Sequence, residues 1–444
     1  FSDAVWGRVF NHQRDTSRSP LAVCAARTAA DVVAAIEFAT THHCRVSVRS
    51  GGHSWAAWSV RHDALLLDLA DLDRHPGPRV AYDEHTHVVS CSPSVTGREL
   101  NDFLAAADGG KGRLFAGGHC PDVGLGGFLL QGGMGWNCKP VRGWACESIT
   151  AIEVVTASGQ QLHCSETSNA DLFWAARGAG PGFPAIVTRF HLLTRPLTQI
   201  YQSLYFFPLS AFRTILQWEI DLAPTADPDT EIVGVTSYFP IPSAPSGPLL
   251  LANFTTFKPT LEAATAALAP IHASLPAGTP PLLALFCQPS SLADQYAQQT
   301  AANPAGHRYC SDNVYLANDL SDVPARLERV FADLPTARSA ALWFSMNPVS
   351  RRALGGRDMA LSLQSDHYVA LYAVWEAEGE DDKCREWVRG AMEGLERDSV
   401  GSYLGDADFE VRRTRFWSEA AGGRLREVRR AWDPKGRICG FLDQ

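Results

Sequence analysis

Residues 117–135 read Gly117-Gly118-His119-Cys120-Pro121-Asp122-Val123-Gly124-Leu125-Gly126-Gly127-Phe128-Leu129-Leu130-Gln131-Gly132-Gly133-Met134-Gly135. Glycine at this density lets a backbone approach a bound group closely or take up positive φ repeatedly. A dinucleotide fingerprint would need G-x-G-x-x-G, and both frames fail. From Gly124 the sixth residue is Leu129, and from Gly133 it is Cys138, which disfavours a nicotinamide-type fold. A second glycine turn lies upstream. Arg45–Arg49 alternates like a strand and runs into Ser50-Gly51-Gly52-His53-Ser54, where successive N–H groups can converge on an anion such as a pyrophosphate. Each motif alone reads as an ordinary turn or glycine loop. A histidine in one and a cysteine in the other sets them apart.

Around these turns the pattern predicts an α+β lobe. Residues 28–41 open on a Thr cap and place Val32, Val33, Ile36 and Ala39 at helical spacing. Strands are predicted at 45–49, 65–69, 88–91, 149–156 and 186–193, with helices at 96–106 and 171–177. The strand–turn–strand order argues against a string of βαβ units. From about residue 200 the texture becomes rich in aromatic residues, Pro and Ala. Strands at 201–207, 231–239, 249–257, 340–347 and 367–375, with helices at 210–220, 260–274 and 323–333, predict an antiparallel sheet covered by helices. The last stretch, Arg424–Trp432, is an amphipathic helix.

Arg49–Ser54 and Gly117–Gly135, continued through Ile149–Gly159, Asp171–Gly178 and Ile186–Phe190, resemble the berberine-bridge-enzyme-like branch of the vanillyl-alcohol-oxidase flavoproteins. The resemblance implies a PCMH-type FAD-binding domain formed by residues 1–200 and 396–444, with a substrate domain inserted at 201–395. It implies FAD bonded through its 8α-methyl carbon to His53 and through C6 to Cys120, or through His53 alone as some relatives do. An imidazole nitrogen and a thiolate are nucleophiles suited to an electron-poor ring. It further implies cofactor contacts at Arg49, Ser50, Gly51, Gly52 and Ser54, at Val123, Gly124, Gly127 and Gly132, and at Ile149 and Val187. The implied reaction is oxidation of an alcohol or activated C–H of a bulky substrate, an oligosaccharide or secondary metabolite, with O2 reduced to H2O2.

Two departures from the family pattern bear on chemistry. Phe128 stands where many relatives carry a histidine against the flavin. Near the C-terminus relatives read Tyr-x-Asn-Tyr, the last tyrosine acting as base, whereas this chain reads Tyr403-Leu404-Gly405-Asp406. Asp406 then occupies the base position and Tyr403 is the substitute; the plainer reading makes Asp406 a solvated turn residue. Asp366, His367, Tyr368 and Tyr372 share a predicted strand, whose alternation turns only half of them to any one side. Arg357 stands in a segment resembling the family's Pro-His-Arg.

The bulk properties narrow the class. The 444 residues are 45% hydrophobic and 20% charged with net charge −9; this argues against a nucleic-acid binder, and no apolar run suggests a membrane partner. Small-molecule substrate and O2 are the partners expected. The eleven cysteines include no CxxC pair, and His85 with His87 lacks a third ligand, so no metal is expected. The cysteines are equally compatible with disulfides or free thiols, and Asn253-Phe254-Thr255 is a glycosylation sequon. The opening residues lack a signal pattern, leaving a secreted mature chain and a cytoplasmic one both open. Rival readings are a flavin dehydrogenase with another acceptor, a flavin carrier with a degenerate base, and a serine hydrolase built on Ser54, although Gly52–Ala56 lacks the second glycine of the elbow.

Overall fold

The computed structural model describes residues 1–73, 78–137, 143–242, 244–351, 359–409 and 411–440; Cys138 and Arg357 lie outside them. A three-stranded sheet orders Ala22–Ala25, Ala64–Asp68 and Arg45–Arg49 side by side, all parallel. The helix Ala29–Thr41 crosses between the outer two strands and buries Val32, Ala35, Ile36 and Ala39. Thr28 caps it as expected, in a reciprocal box with Asp31. This is a single parallel crossover, not a string of βαβ units, and the sheets that follow are antiparallel. Ala22–Ala25 is short, small-residued and half-exposed, so no alternation marked it as a strand.

A five-stranded antiparallel sheet follows, in the order Val80–Asp83, Val88–Cys91, Ala185–Leu193, Ile149–Thr156 and Gln161–Cys164. The chain's tail comes back to the first sheet. Val46 N–H donates to Arg437 O at 2.8 Å and Cys439 N–H to Val46 O at 2.8 Å.

The remaining large unit is an eight-stranded antiparallel sheet. Its order is Leu283–Ser290, Gln199–Pro208, Leu249–Lys258, Thr230–Ser237, Ala340–Ser345, His367–Trp375, Arg308–Leu316 and Ser399–Gly401. The two-residue period of the strands divides it. Ile232, Phe254, Trp343, Val369 and Leu371 point to one face, buried under the helices Phe212–Leu222, Leu261–Ala273, Val323–Ala332 and Asp381–Leu395. The intervening residues face the other way, toward the glycine turns. None of the ten described cysteines forms a disulfide. His85 and His87 sit in the turn between two strands, not on a strand face.

Candidate active site

The two glycine turns meet backbone to backbone. A Cβ on Gly51 would come 2.6 Å from Gly124 N, and one on Gly124 would come 2.7 Å from Gly51 Cα. Neither position accepts a side chain. Gly52 has φ +77°, and a Cβ there would meet the Arg8 carbonyl oxygen at 2.0 Å. Phe128 fills the space that Gly118 and Gly133 leave; added Cβ atoms would lie 3.2 and 2.8 Å from its ring. The position at which relatives carry a histidine is thus an apolar filler between two glycines.

A cavity of about 470 Å3 opens between these turns and the face of the large sheet turned away from the four covering helices, with the helix Leu292–Ala302 at its edge. His53, Cys120 and Asp406 all line it. So do Ser50, Gly51, Gly52 and Ser54 from the first turn, and Val123, Gly124 and Gly127 from the second, with Arg49, Val187 and Tyr403. Gly132 and Ile149 do not. Gly132, at φ +111°, faces Leu361 and the Tyr403 ring, and Ile149 is buried where its strand begins, paired with Leu192.

Arg49 borders the cavity, yet its guanidinium is committed elsewhere. It donates to Asp68 Oδ2 at 2.7 and 3.2 Å and to the carbonyls of Val5 and Ala4 at 2.5 and 2.6 Å. Arg8 pairs with the same aspartate and donates to Ser50 O at 2.6 Å. These ties hold the N-terminal segment across the first turn. Phe10 in that segment stacks on His53, ring centroids 3.9 Å apart and 17° between planes. Sequence reasoning missed Phe10, because nothing in the local pattern couples it to a turn more than forty residues away. Burial lowers the His53 pKa to about 4. The imidazole is therefore neutral near pH 7, with one ring nitrogen unprotonated and nucleophilic.

Cys120 stands in the opposite condition. Burial, with the charges of Asp406 and Asp122, pushes its thiol up to about 12. Asp406 is no solvated turn residue. Its Oδ2 accepts the Tyr368 hydroxyl at 2.6 Å, and Trp55 and Tyr372 also hydrogen-bond to it. Burial raises its pKa above the usual carboxylate range, and these hydrogen bonds oppose the rise. Tyr403 is held otherwise: its hydroxyl accepts the N–H groups of Gly133 and Met134 at 3.0 and 3.1 Å, and burial drives its pKa far up. Its oxygen anchors the second glycine motif.

The loop bearing Asp406 is clamped by the strand Arg308–Leu316. Asn313, fully buried, donates to Tyr403 O and accepts from Tyr403 N, both at 2.7 Å. Ser311 Oγ donates to Asp406 O at 3.2 Å. Of the four candidates around 366–372, Tyr368 and Tyr372 face the cavity. Asp366 instead pairs with Arg351 and Ser350, and His367 accepts from Trp343 Nε1 at 3.2 Å on the other face. Asn253 belongs to an interior strand and lines the cavity, so its sequon is not a surface loop. Ser54 Oγ accepts Trp58 N–H at 3.3 Å and closes a turn.

The FAD binding domain family model matches residues 20–165. FAD-linked oxidoreductase ptmO of Penicillium ochrochloron is 37% identical over 443 residues, covering 99% of this chain and 94% of that one. The chain belongs to the FAD-linked oxidoreductases. Among solved structures, BBE-like 1 of Physcomitrella patens matches with TM-score 0.82 at 16% identity, over 99% of this chain and 94% of that one. Glucooligosaccharide oxidase from Acremonium strictum, described with a 6-S-cysteinyl, 8α-N1-histidyl FAD, matches with TM-score 0.77 at 19% identity, over 98% and 93%. The resemblance carried by Arg49–Ser54 and Gly117–Gly135 holds, and so does the α+β class. For this FAD-linked oxidoreductase the hydrolase reading of Ser54 falls away. The residues suit the cofactor: two turns present bare backbone, and a Cβ on Gly127 would meet nothing within 4 Å, leaving room for a ligand to approach the main chain.

Proposed function

We propose that this FAD-linked oxidoreductase is an oxidase of a bulky alcohol or activated C–H substrate, with FAD held by His53 and Cys120 and with Asp406 as the base. The observation that carries the reading is that these three residues line one cavity. Residues 1–200 and 396–444 would hold the cofactor, and 201–395 would shape the substrate space. Bound FAD would supply the acceptor for the substrate's C–H hydride, with O2 as the final oxidant and H2O2 as its product.

The protein's part is orientation and proton handling. Phe10 keeps the His53 ring in one plane, and the neutral imidazole offers the lone pair that a bond to the 8α-carbon needs. The Cys120 thiol is not preformed as thiolate, so a bond to C6 would need a base for the thiol proton and loss of the C6 hydrogen, the two electrons released being taken finally by O2. Asp406 takes the hydroxyl proton as the alcohol becomes a carbonyl. Its elevated pKa strengthens it as a base, while Tyr368 and Tyr372 steady the carboxylate.

Acid precipitation of purified protein followed by peptide mass spectrometry tests the attachment. Flavin mass cross-linking the His53 and Cys120 peptides is expected; mass on the His53 peptide alone means a single bond, and all colour in the supernatant refutes both. Anaerobic reduction followed by air tests the acceptor: yellow colour returning within seconds with H2O2 released marks an oxidase, and persistent bleaching a dehydrogenase.

A further inference from the structure

The cavity wall formed by the large sheet has a chemical gradient written across its strands. Register pairing sets Asn253 beside Val233, Val233 beside Phe344, and Phe344 beside Tyr368. One straight row therefore crosses four strands, from a carboxamide, over two apolar side chains, to the phenol that donates to Asp406. A neighbouring row repeats the apolar middle, with Val235 paired to Leu342. At strand spacings of about 4.8 Å, Asn253 and Tyr368 stand roughly 14 Å apart. The Asn253 end is extended by Thr255 and by Gln295, Gln298 and Gln299 of the helix Leu292–Ala302, which also line the cavity. Asn253 Oδ1 accepts from Thr255 Oγ1 at 3.1 Å, and its amide N–H2 has no partner among the described residues.

We infer that the substrate is an elongated molecule with a rigid apolar body, carrying the reacting alcohol at the Asp406 end and a hydrogen-bonding oxygen or nitrogen at the amide end. This deepens the reading above and rests on it for which end reacts. Between Asn253 and Tyr368 the middle strands present Val233, Val235, Leu342 and Phe344, while Glu231, beside Thr255, is engaged by Asn137 N–H and His119. A sugar unit lying there would bury hydroxyls against Val233, Val235 and Leu342 without partners, at a cost for each. A fused-ring hydrocarbon would instead remove apolar area from water on both surfaces. Oligosaccharides are thereby disfavoured in this chain.

Two probes separate the classes: 5α-androstane-3β,17β-diol, with an oxygen at each end of an apolar body, and cellotriose. Trp55 and Trp136 line the cavity, so quenching of intrinsic fluorescence reads binding whether or not flavin is present. The diol is expected to quench with saturation at least tenfold tighter than cellotriose. Val233→Thr and Leu342→Asn, the first nearly isosteric, should each weaken the diol at least fivefold and should not weaken cellotriose, whose hydroxyls gain a partner. Tighter binding of cellotriose, no quench by the diol, or a diol affinity untouched by both substitutions would overturn the inference. Anaerobic flavin bleaching is read separately: saturable diol binding without bleaching counts against the oxidase reading and leaves the substrate class standing, whereas bleaching by cellotriose alone does the reverse.

Discussion

The Tyr368 hydroxyl donates to Asp406 Oδ2 at 2.6 Å, joining the large sheet to the C-terminal loop inside the cavity. A carboxylate so placed needs to be ionised to accept a proton, and burial has raised its pKa above 3.8. The rate of flavin reduction should therefore fall as pH drops through that elevated value, with an acid limb above the ordinary carboxylate range. Asp406→Asn is expected to remove that limb and slow reduction roughly 10²–10⁴-fold, with yellow colour retained. Stopped-flow reduction across pH checks both, and an unchanged rate in the variant would exclude Asp406 as base.

Tyr368→Phe keeps the ring and removes one hydrogen bond. That bond favours the ionised carboxylate, so its loss lets burial push Asp406 higher. The acid limb should move to higher pH while the rate on the plateau changes by less than about tenfold. A limb moving down would mean that Tyr368 does not act through Asp406.

Gly124→Ala tests the seam between the turns. The new Cβ would stand 2.7 Å from both N and Cα of Gly51, and backbone on both sides cannot swing away. A loss of about 1–3 kcal/mol, seen as a lower Tm, should accompany a lower flavin content per chain. Gly423→Ala, on the closing helix where a Cβ meets nothing within 4 Å, is the matched control and should be neutral or stabilising.

Much of this site was legible because glycine, histidine and cysteine announced it locally: Gly51, Gly124, His53 and Cys120 all reached the cavity. Long-range partners did not announce themselves. Arg308–Leu316 contains Ser311-Asp312-Asn313, a triplet that suggests a turn, yet all three are buried in a strand. They survive there because Asp312 pairs with Arg412 and Asn313 clamps Tyr403. Tertiary partners supplied what local preference could not. Asp366 and His367 share Tyr368's stretch of chain, but side-chain bonds commit them to Arg351 and Trp343 instead.

Glu219 predicts a pH dependence of stability. It is buried on the helix Phe212–Leu222 with neither carboxyl oxygen partnered among the described residues, close against Gly234. Burial holds its pKa well above 4.5, so the folded chain keeps a proton that the unfolded chain releases. The group's favourable contribution is full below 4.5 and is lost as pH rises through the folded value. Glu219→Gln should raise Tm at about pH 8, by the equivalent of about 1–3 kcal/mol, and change little at about pH 4. An equal change at both would show that the carboxyl does not titrate with folding.

His53 gives the complementary case, read in the colourless apoprotein before any bond forms. Its pKa falls from 6.5 to about 4 by burial. Between those values the unfolded chain holds a proton that the folded chain lacks. The stability it contributes is therefore present above 6.5 and lost as pH falls through about 4. The same neutrality governs reactivity, since only the unprotonated ring nitrogen can bond to the flavin. Attachment of added FAD, followed as flavin mass on the His53 peptide, should keep one rate from about pH 8 to about pH 5 and slow tenfold per unit below about pH 4. Phe10→Ala exposes the imidazole and should lift its pKa toward 6.5, so the slowing begins at higher pH. If attachment to the intact chain instead slows already near 6.5, His53 titrates as a solvated residue and the stacked, dry turn is not the reacting form.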